Sequence, residues 1–357
     1  MKILIQIILV ITILMIVSCG NDNPTNPDNK NGSYLFRILQ FGRYGFINES
    51  GKLIINPQFE SCGEFYDDED FAFHNILNPA HDITYINQNG IYGYIDNKGI
   101  VKIQPQFTSA NPFYNGYASV AIGDNQNIDK KYGLIDKSGS YLINPQYEDV
   151  GIYTDGLLSV QVGEKWGFVD KNNQIIINPQ FDDALPFTNG LAGVYDKAQD
   201  KFGFIDKTGK LVINYQFDDI IPFVNELACI EMNGKWGFIN KSGSMVIQPQ
   251  YEEESFFING LCCVSFNGKY GFINSQGSYV INPIYDNAGY FNENLAPVKQ
   301  NDKWGYIDKT GKVIINFQFN DAHSFVNGLA HITMNFGSDY KYGYINKSGI
   351  YVWQPTN

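Results

Sequence analysis

The sequence predicts an all-β protein, an array of nine three-stranded antiparallel repeats, with an open solenoid or superhelix favoured over a closed propeller. Three observations carry this. An aromatic-glycine pair recurs nine times, at Tyr44-Gly45, Tyr92-Gly93, Tyr132-Gly133, Trp166-Gly167, Phe202-Gly203, Trp236-Gly237, Tyr270-Gly271, Trp304-Gly305 and Tyr342-Gly343, at spacings of 48, 40, 34, 36, 34, 34, 34 and 38 residues. A period near 34 marks a repeat architecture. Six residues after each of these glycines stands another glycine, replaced once by Asn173. A stretch usually of the form Ile-x-Pro-Gln-Phe/Tyr follows, with Tyr215 and Phe317 in place of proline in two copies.

Taken in chain order, residues 1–18 read as a leader. Lys2 is followed by an almost unbroken apolar run from Ile3 to Val17, shorter than the ~20 residues that span a bilayer comfortably. The run ends in Ile16-Val17-Ser18-Cys19-Gly20, which resembles the lipobox of bacterial lipoproteins. That resemblance implies cleavage before Cys19 and lipidation of its sulfur. Residues 19–33 then form a tether, because Asn, Pro and Asp predominate and nothing there can be buried. Residues 34–357 are the repeat domain.

Within each repeat, the aromatic-glycine segment and the aliphatic segment after it read as two strands of a hairpin, for example Trp236 to Asn240 and Met245 to Gln248. The intervening glycine takes a left-handed φ, a position that Asn173 can also occupy. The proline interrupts or bends pairing, since it has no N–H to donate. A third short strand follows, as in Gly190-Leu191-Ala192 and Gly328-Leu329-Ala330, and returns to the next aromatic-glycine through turns such as Asn233-Gly234. A glycine inside a strand normally costs ~0.5–1 kcal/mol. Its ninefold recurrence implies that another backbone or ring lies where a side chain would be. Propeller blades commonly have four strands, and rings of up to eight blades are usual; nine three-stranded units therefore favour the open array.

These residues resemble the WG (KWG) repeat family from Tyr34 to the C-terminus, although Trp itself stands at only three of the nine positions. The resemblance implies a β-rich repeat domain of bacterial proteins and no general catalytic activity.

The formal charge is −12, and loss of Lys2 with the leader takes it to −13. Such a surface disfavours nucleic acid and anionic lipid as partners. Cys62, Cys229, Cys262 and Cys263 show neither metal spacing nor a disulfide framework and read as small buried residues. Paired acids recur (Glu148-Asp149, Asp182-Asp183, Asp218-Asp219, Glu252-Glu253-Glu254). A catalytic site is singular, whereas a fold device repeats, so these acids read as loop and capping groups rather than as a catalytic or Ca²⁺ site. No P-loop, nucleophile elbow or histidine metal pattern occurs. The sequence therefore calls for no catalytic residue, metal or cofactor.

Departures from the period are more specific. The segment from third strand to next aromatic is nine residues at its shortest (Leu227 to Trp236) and twenty-one at its longest, Phe71 to Tyr92. Insertions on one edge of a repeat array often mark its binding side. His74, His81, Asp82 and Tyr85 are the distinctive side chains of the longest segment. The reading is a non-enzymatic, lipid-anchored protein of the bacterial envelope, at the outer membrane or cell surface, presenting its repeats to a protein or glycan. A purely structural envelope component is second, and a hydrolase third.

Overall fold

The computed structural model describes residues 34–63, 65, 82–124, 130–336 and 339–356. Each repeat becomes one small antiparallel sheet, and the nine sheets stand in a ring. The arrangement is a nine-bladed β-propeller, which overturns the open array expected from the sequence. Blade 6 is built from strands Asp219–Val224, Leu227–Met232, Lys235–Asn240 and Met245–Tyr251, paired in that order. The sequence reading supplied the last three. The first strand, usually only two residues long, lies just beyond the proline stretch and pairs with the second strand of the next unit. The blades run Leu35–Phe59, Ser61–Phe107, Ser109–Tyr147, Asp149–Phe181, Asp183–Phe217, Asp219–Tyr251, Phe257–Tyr285, Asn287–Phe319 and Asp321–Thr356. Among the described residues, blade 1 has only the second, third and fourth strands.

The aromatic-glycine pair is explained by the fourth strand. In blade 6 Trp236 faces Tyr251 and Phe238 faces Ile247, so the fourth strand carries two extra residues opposite Gly237. This hump folds over the glycine. A Cβ on Gly237 would stand 2.6 Å from both the Ile247 carbonyl oxygen and the Pro249 nitrogen. The proline marks the crest of the hump, where no ladder N–H is needed. Bulge and glycine are thus two halves of one contact, repeated with the same register shift in blades 1 to 8; in blade 9 the fourth strand carries one extra residue there instead of two.

Between blades, the turn after the third strand packs on the preceding fourth strand. Gly99, Gly139, Gly209, Gly243, Gly277 and Gly349 lie against Ile55, Ile103, Ile177, Ile213, Ile247 and Ile315. All six glycines have positive φ, and Asn173 has φ 64° at the corresponding place. A third-strand aromatic also meets an aromatic of the next blade, as in Phe204–Phe223 (ring centroids 5.0 Å) and Tyr306–Phe325 (4.8 Å). Each pair stands edge-on or tilted, geometries that the ring quadrupoles favour.

The same contacts cross from blade 9 to blade 1. Gly51 lies against Val352, and the rings of Tyr344 and Phe36 are 5.5 Å apart. Tyr344 Oη donates to the Arg37 carbonyl at 2.8 Å, 307 residues away in the chain. In blades 2 and 9 the corresponding carbonyls, of Tyr85 and His331, accept an N–H from the residue just after the first strand (Gly63 and His323, both 3.0 Å). In blade 1, which shows no such strand among the described residues, the Tyr344 hydroxyl makes the bond. Phe36, Ile38, Ile47, Val326, Leu329 and Tyr344 form one buried cluster that seals the ring.

Candidate functional site

The recurrent polar residues act between blades. Asp182 follows the fourth strand of blade 4 and accepts from Lys165 Nζ of the same blade at 2.7 Å and from the Lys197 N–H of blade 5 at 2.9 Å. Asp286 repeats this with Lys269 Nζ (2.5 Å) and the Asn301 N–H (2.8 Å), and Asp218 with Lys201 and the Asn233 N–H. The bond from the partner lysine is the largest of the effects that lower the pKa of Asp182 and of Asp286 below the ordinary carboxylate range. The first acid of each doublet is therefore a staple across a blade junction.

In Asp182-Asp183 the second acid turns inward. Asp183 is 3% exposed; its Oδ1 accepts the Ala184 N–H at 2.8 Å, and Oδ2 has no hydrogen-bond partner among the described residues. Burial pushes its pKa up to about 6, and burial raises that of Asp149 as well. A third set of acids and amides, which the sequence reading left unassigned, closes the turn after the third strand. Asp206 Oδ1 accepts the N–H groups of Thr208 (2.9 Å) and Lys210 (3.1 Å), and Asn240 Oδ1 those of Ser242 and Ser244. The signal was present as an Asp or Asn three residues after each aromatic-glycine pair, at Asn48, Asp96, Asp136, Asp170, Asp206, Asn240, Asn274, Asp308 and Asn346.

No group of three or more His, Cys, Asp or Glu residues that could hold a metal ion occurs among the described residues. Cys62, Cys229, Cys262 and Cys263 are buried and form no disulfide among the described residues, and burial raises the thiol pKa of the last three. His323 and His331 lie side by side in blade 9 with ring centroids 5.1 Å apart, and His331 stacks on Tyr342. A shallow depression between blades 3 and 4 is lined by Asn111, Tyr114, Tyr117, Ser119, Leu134 and Tyr153, with no carboxylate, imidazole, amine or thiol in its wall.

Of the residues singled out from the sequence, Cys19, His74 and His81 lie outside the described residues. Asp82 pairs with Lys137 of the next blade, the arrangement that Glu293 and Lys347 repeat at 2.7 Å. Tyr85 is half-buried in the second strand of blade 2, with its ring 6.0 Å from that of Tyr92. That strand is Ile83–Gln88 and turns through Asn89-Gly90 into Ile91–Asp96. The hairpin before Tyr92 is thus of minimal length, and the extra residues of this repeat enter between Cys62 and Ile83, at the other end of the strand. The shorter insertions near 123–130 and 197–200 do occupy the hairpin named from the sequence.

Fold and surface together define a ring-shaped repeat protein whose repeated chemistry is structural and whose individuality lies at the turns. The family model described as WG containing repeat matches residues 44–73, 92–125, 132–166, 166–196, 202–236, 236–270, 270–304 and 304–335, and the chain belongs to that family. No curated protein matches it. Among solved structures it is similar to Hsv2 of Kluyveromyces marxianus, with 8% identity, 66% of this chain and 93% of that one covered, and a TM-score of 0.42. It is also similar to the dihydro-heme d1 dehydrogenase NirN in complex with DHE (10%, 92% and 74%, TM-score 0.45). A third is BBS1N in complex with ARL6DN (11%, 66% and 86%, TM-score 0.32).

Proposed function

We propose that the protein is a non-enzymatic binding scaffold of the bacterial envelope, held to the outer membrane or cell surface by a lipid on Cys19, whose ring engages a protein or glycan. One observation carries the reading. The charged residues that recur, such as Asp182, Asp218 and Asp286, are occupied in joining blades, so recognition falls to the residues that differ between turns. The Val-Ser-Cys-Gly junction after the apolar leader supports the anchor. A structural component without a specific ligand is the second reading.

Two measurements test it. Cys19→Ala should abolish incorporation of labelled fatty acid and release the protein from the membrane fraction; unchanged labelling sinks the anchor. A pull-down from envelope extract, run beside a glycan array, should return a reproducible partner that competes with itself in solution. Retention of nothing specific on either would favour the structural reading.

A further inference from the structure

The blade junctions repeat one contact, and a single junction breaks it. In eight of the nine, the aromatic residue just after the aromatic-glycine pair meets a ring of the next blade, with centroids 4.7–5.5 Å apart. At the junction of blades 3 and 4 that position is Leu134. Its counterpart in blade 4, Tyr153, pairs instead with Tyr117 of blade 3, edge to face at 5.1 Å. Tyr117 is itself a departure, since every other second strand among the described residues opens with Leu or Ile. Leucine fills less of a junction than the ring it replaces, and the depression between blades 3 and 4 lies at this place. Leu134, 1% exposed, lines it from inside, and both tyrosines are half-buried against the same apolar cluster. Three departures from the repeat thus meet in one cleft.

Asn111 and Ser119 supply its polar wall. Ser119 Oγ donates to the Gly151 carbonyl of blade 4 at 3.2 Å and takes a long bond from Asn111 Nδ2 at 3.4 Å. The amide oxygen of Asn111 and its second N–H have no partner among the described residues. With Tyr114 added, the wall consists of phenols, one amide, one hydroxyl and aliphatic carbon, and it carries no ionised group. Such a wall suits an uncharged ligand with hydroxyl groups at its rim and C–H groups on its faces. A neutral sugar ring has both. Its C–H hydrogens, slightly positive, suit the negative face of an aromatic ring, while an amide and a hydroxyl fix orientation through hydrogen bonds.

We infer that the cleft between blades 3 and 4 is a binding site for a neutral sugar. The inference deepens the binding-scaffold reading above and rests on it. The enclosed part of the cleft has room for about one water-sized group. One sugar hydroxyl therefore enters, between Asn111 and Ser119, and the sugar ring stays at the mouth against Tyr117 and Tyr153. A chain of formal charge −12 with no cation in this wall disfavours an acidic sugar. Contacts to so small a ligand give weak affinity, at roughly millimolar concentration for a single ring. In the other eight junctions the ring pair occupies the corresponding place.

The test uses the full chain in a detergent without sugar head groups and reads saturation transfer from protein to free sugar by NMR. Glucose, galactose, mannose and N-acetylglucosamine are the neutral probes, and glucuronic acid is the charged one. At least one neutral sugar should give a signal and glucuronic acid none. Leu134→Phe supplies the ring that the other junctions have; it should keep or raise the thermal midpoint and reduce the signal several-fold. Asn111→Ala, at a half-buried position, should also reduce it several-fold with the midpoint unchanged, and it decides alone if the larger ring is not accommodated. Absence of signal from every neutral sugar would overturn the site, and so would a signal that survives substitution in folded protein or one equally strong from glucuronic acid. If no sugar binds, yet a partner from envelope extract is captured equally by wild type and Leu134→Phe, the scaffold reading stands and this cleft is not its site. If neither sugar nor partner is retained, the scaffold reading falls with it.

Discussion

Replacing the glycine under the bulge isolates the contact on which each blade is built. In Gly237→Ala the new methyl group would stand 2.6 Å from Ile247 O and 2.6 Å from Pro249 N. Both are backbone atoms in a strand paired to the third, and neither can rotate away. The hump must lift by several tenths of an ångström, and forcing an extra methyl into a packed site costs ~1–3 kcal/mol. The lower entropy of the unfolded alanine chain returns ~0.4–1 kcal/mol. A net loss of ~1–2 kcal/mol should lower the melting midpoint by ~1.5–3 °C, less than the usual conversion because the domain is large. Blade 5 provides an internal comparison. There Tyr215 stands in place of proline, and a Cβ on Gly203 would meet Ile213 O at 2.7 Å and Tyr215 N at 3.0 Å. Gly203→Ala should lose less than Gly237→Ala. Thermal midpoints by circular dichroism decide it: a Gly237→Ala protein as stable as wild type, or a larger loss at Gly203, would refute the bulge-over-glycine account.

Asp183→Asn should stabilise the protein at pH 7. The folded-state pKa is raised to about 6 from 3.8, so the penalty for ionising this carboxyl is absent below pH 3.8, grows between pH 4 and 6 and is complete above 6. The gain should approach ~3 kcal/mol at most and vanish near pH 4; a pH-independent effect in denaturant titrations would contradict it. Gly209→Val should be costly, since φ is +82° and the Ile177 side chain lies 3.1 Å from the Cβ position. Asn173→Gly should come out near neutral, because relief at φ 64° is offset by losing the 2.6 Å bond from Tyr147 Oη. Denaturation midpoints that reversed this order would remove the shared turn assignment. Phe36→Ala should cost ~3–5 kcal/mol and speed amide exchange in blades 1 and 9 together, and exchange gained in blade 1 alone would count against a closed ring.

The hairpin, the left-handed turn, the proline bend and a contact against the in-strand glycine were legible because each is set by residues within a single repeat. Closure was not, because it depends on the angle added at each blade junction, and no local residue type encodes that angle. The first strand was missed for a related reason. It is usually two residues long, directly follows a strand of the preceding blade and carries no periodicity of its own. The longest insertion was assigned to the wrong end of its strand because Phe71 has the aromatic character of the segment that leads into a second strand, whereas that strand begins at Ile83.

One signal of closure nevertheless stood in the sequence. In register with Phe36, the other eight blades place Thr84, Ala118, Leu158, Ala192, Ala228, Cys262, Ala296 and Ala330, mostly small residues. A phenyl ring there has no room in a standard blade, where an aromatic from the first-to-second-strand connection, such as Phe325, already covers the preceding third-strand ring. Blade 1 lacks that connection among the described residues, and Phe36, fully buried, takes its place against Tyr344. A terminal cap on an open array would expose the face at Phe36 and call for a polar residue. A large apolar residue at the first repeat's small-residue position makes sense only if the last repeat comes round to cover it.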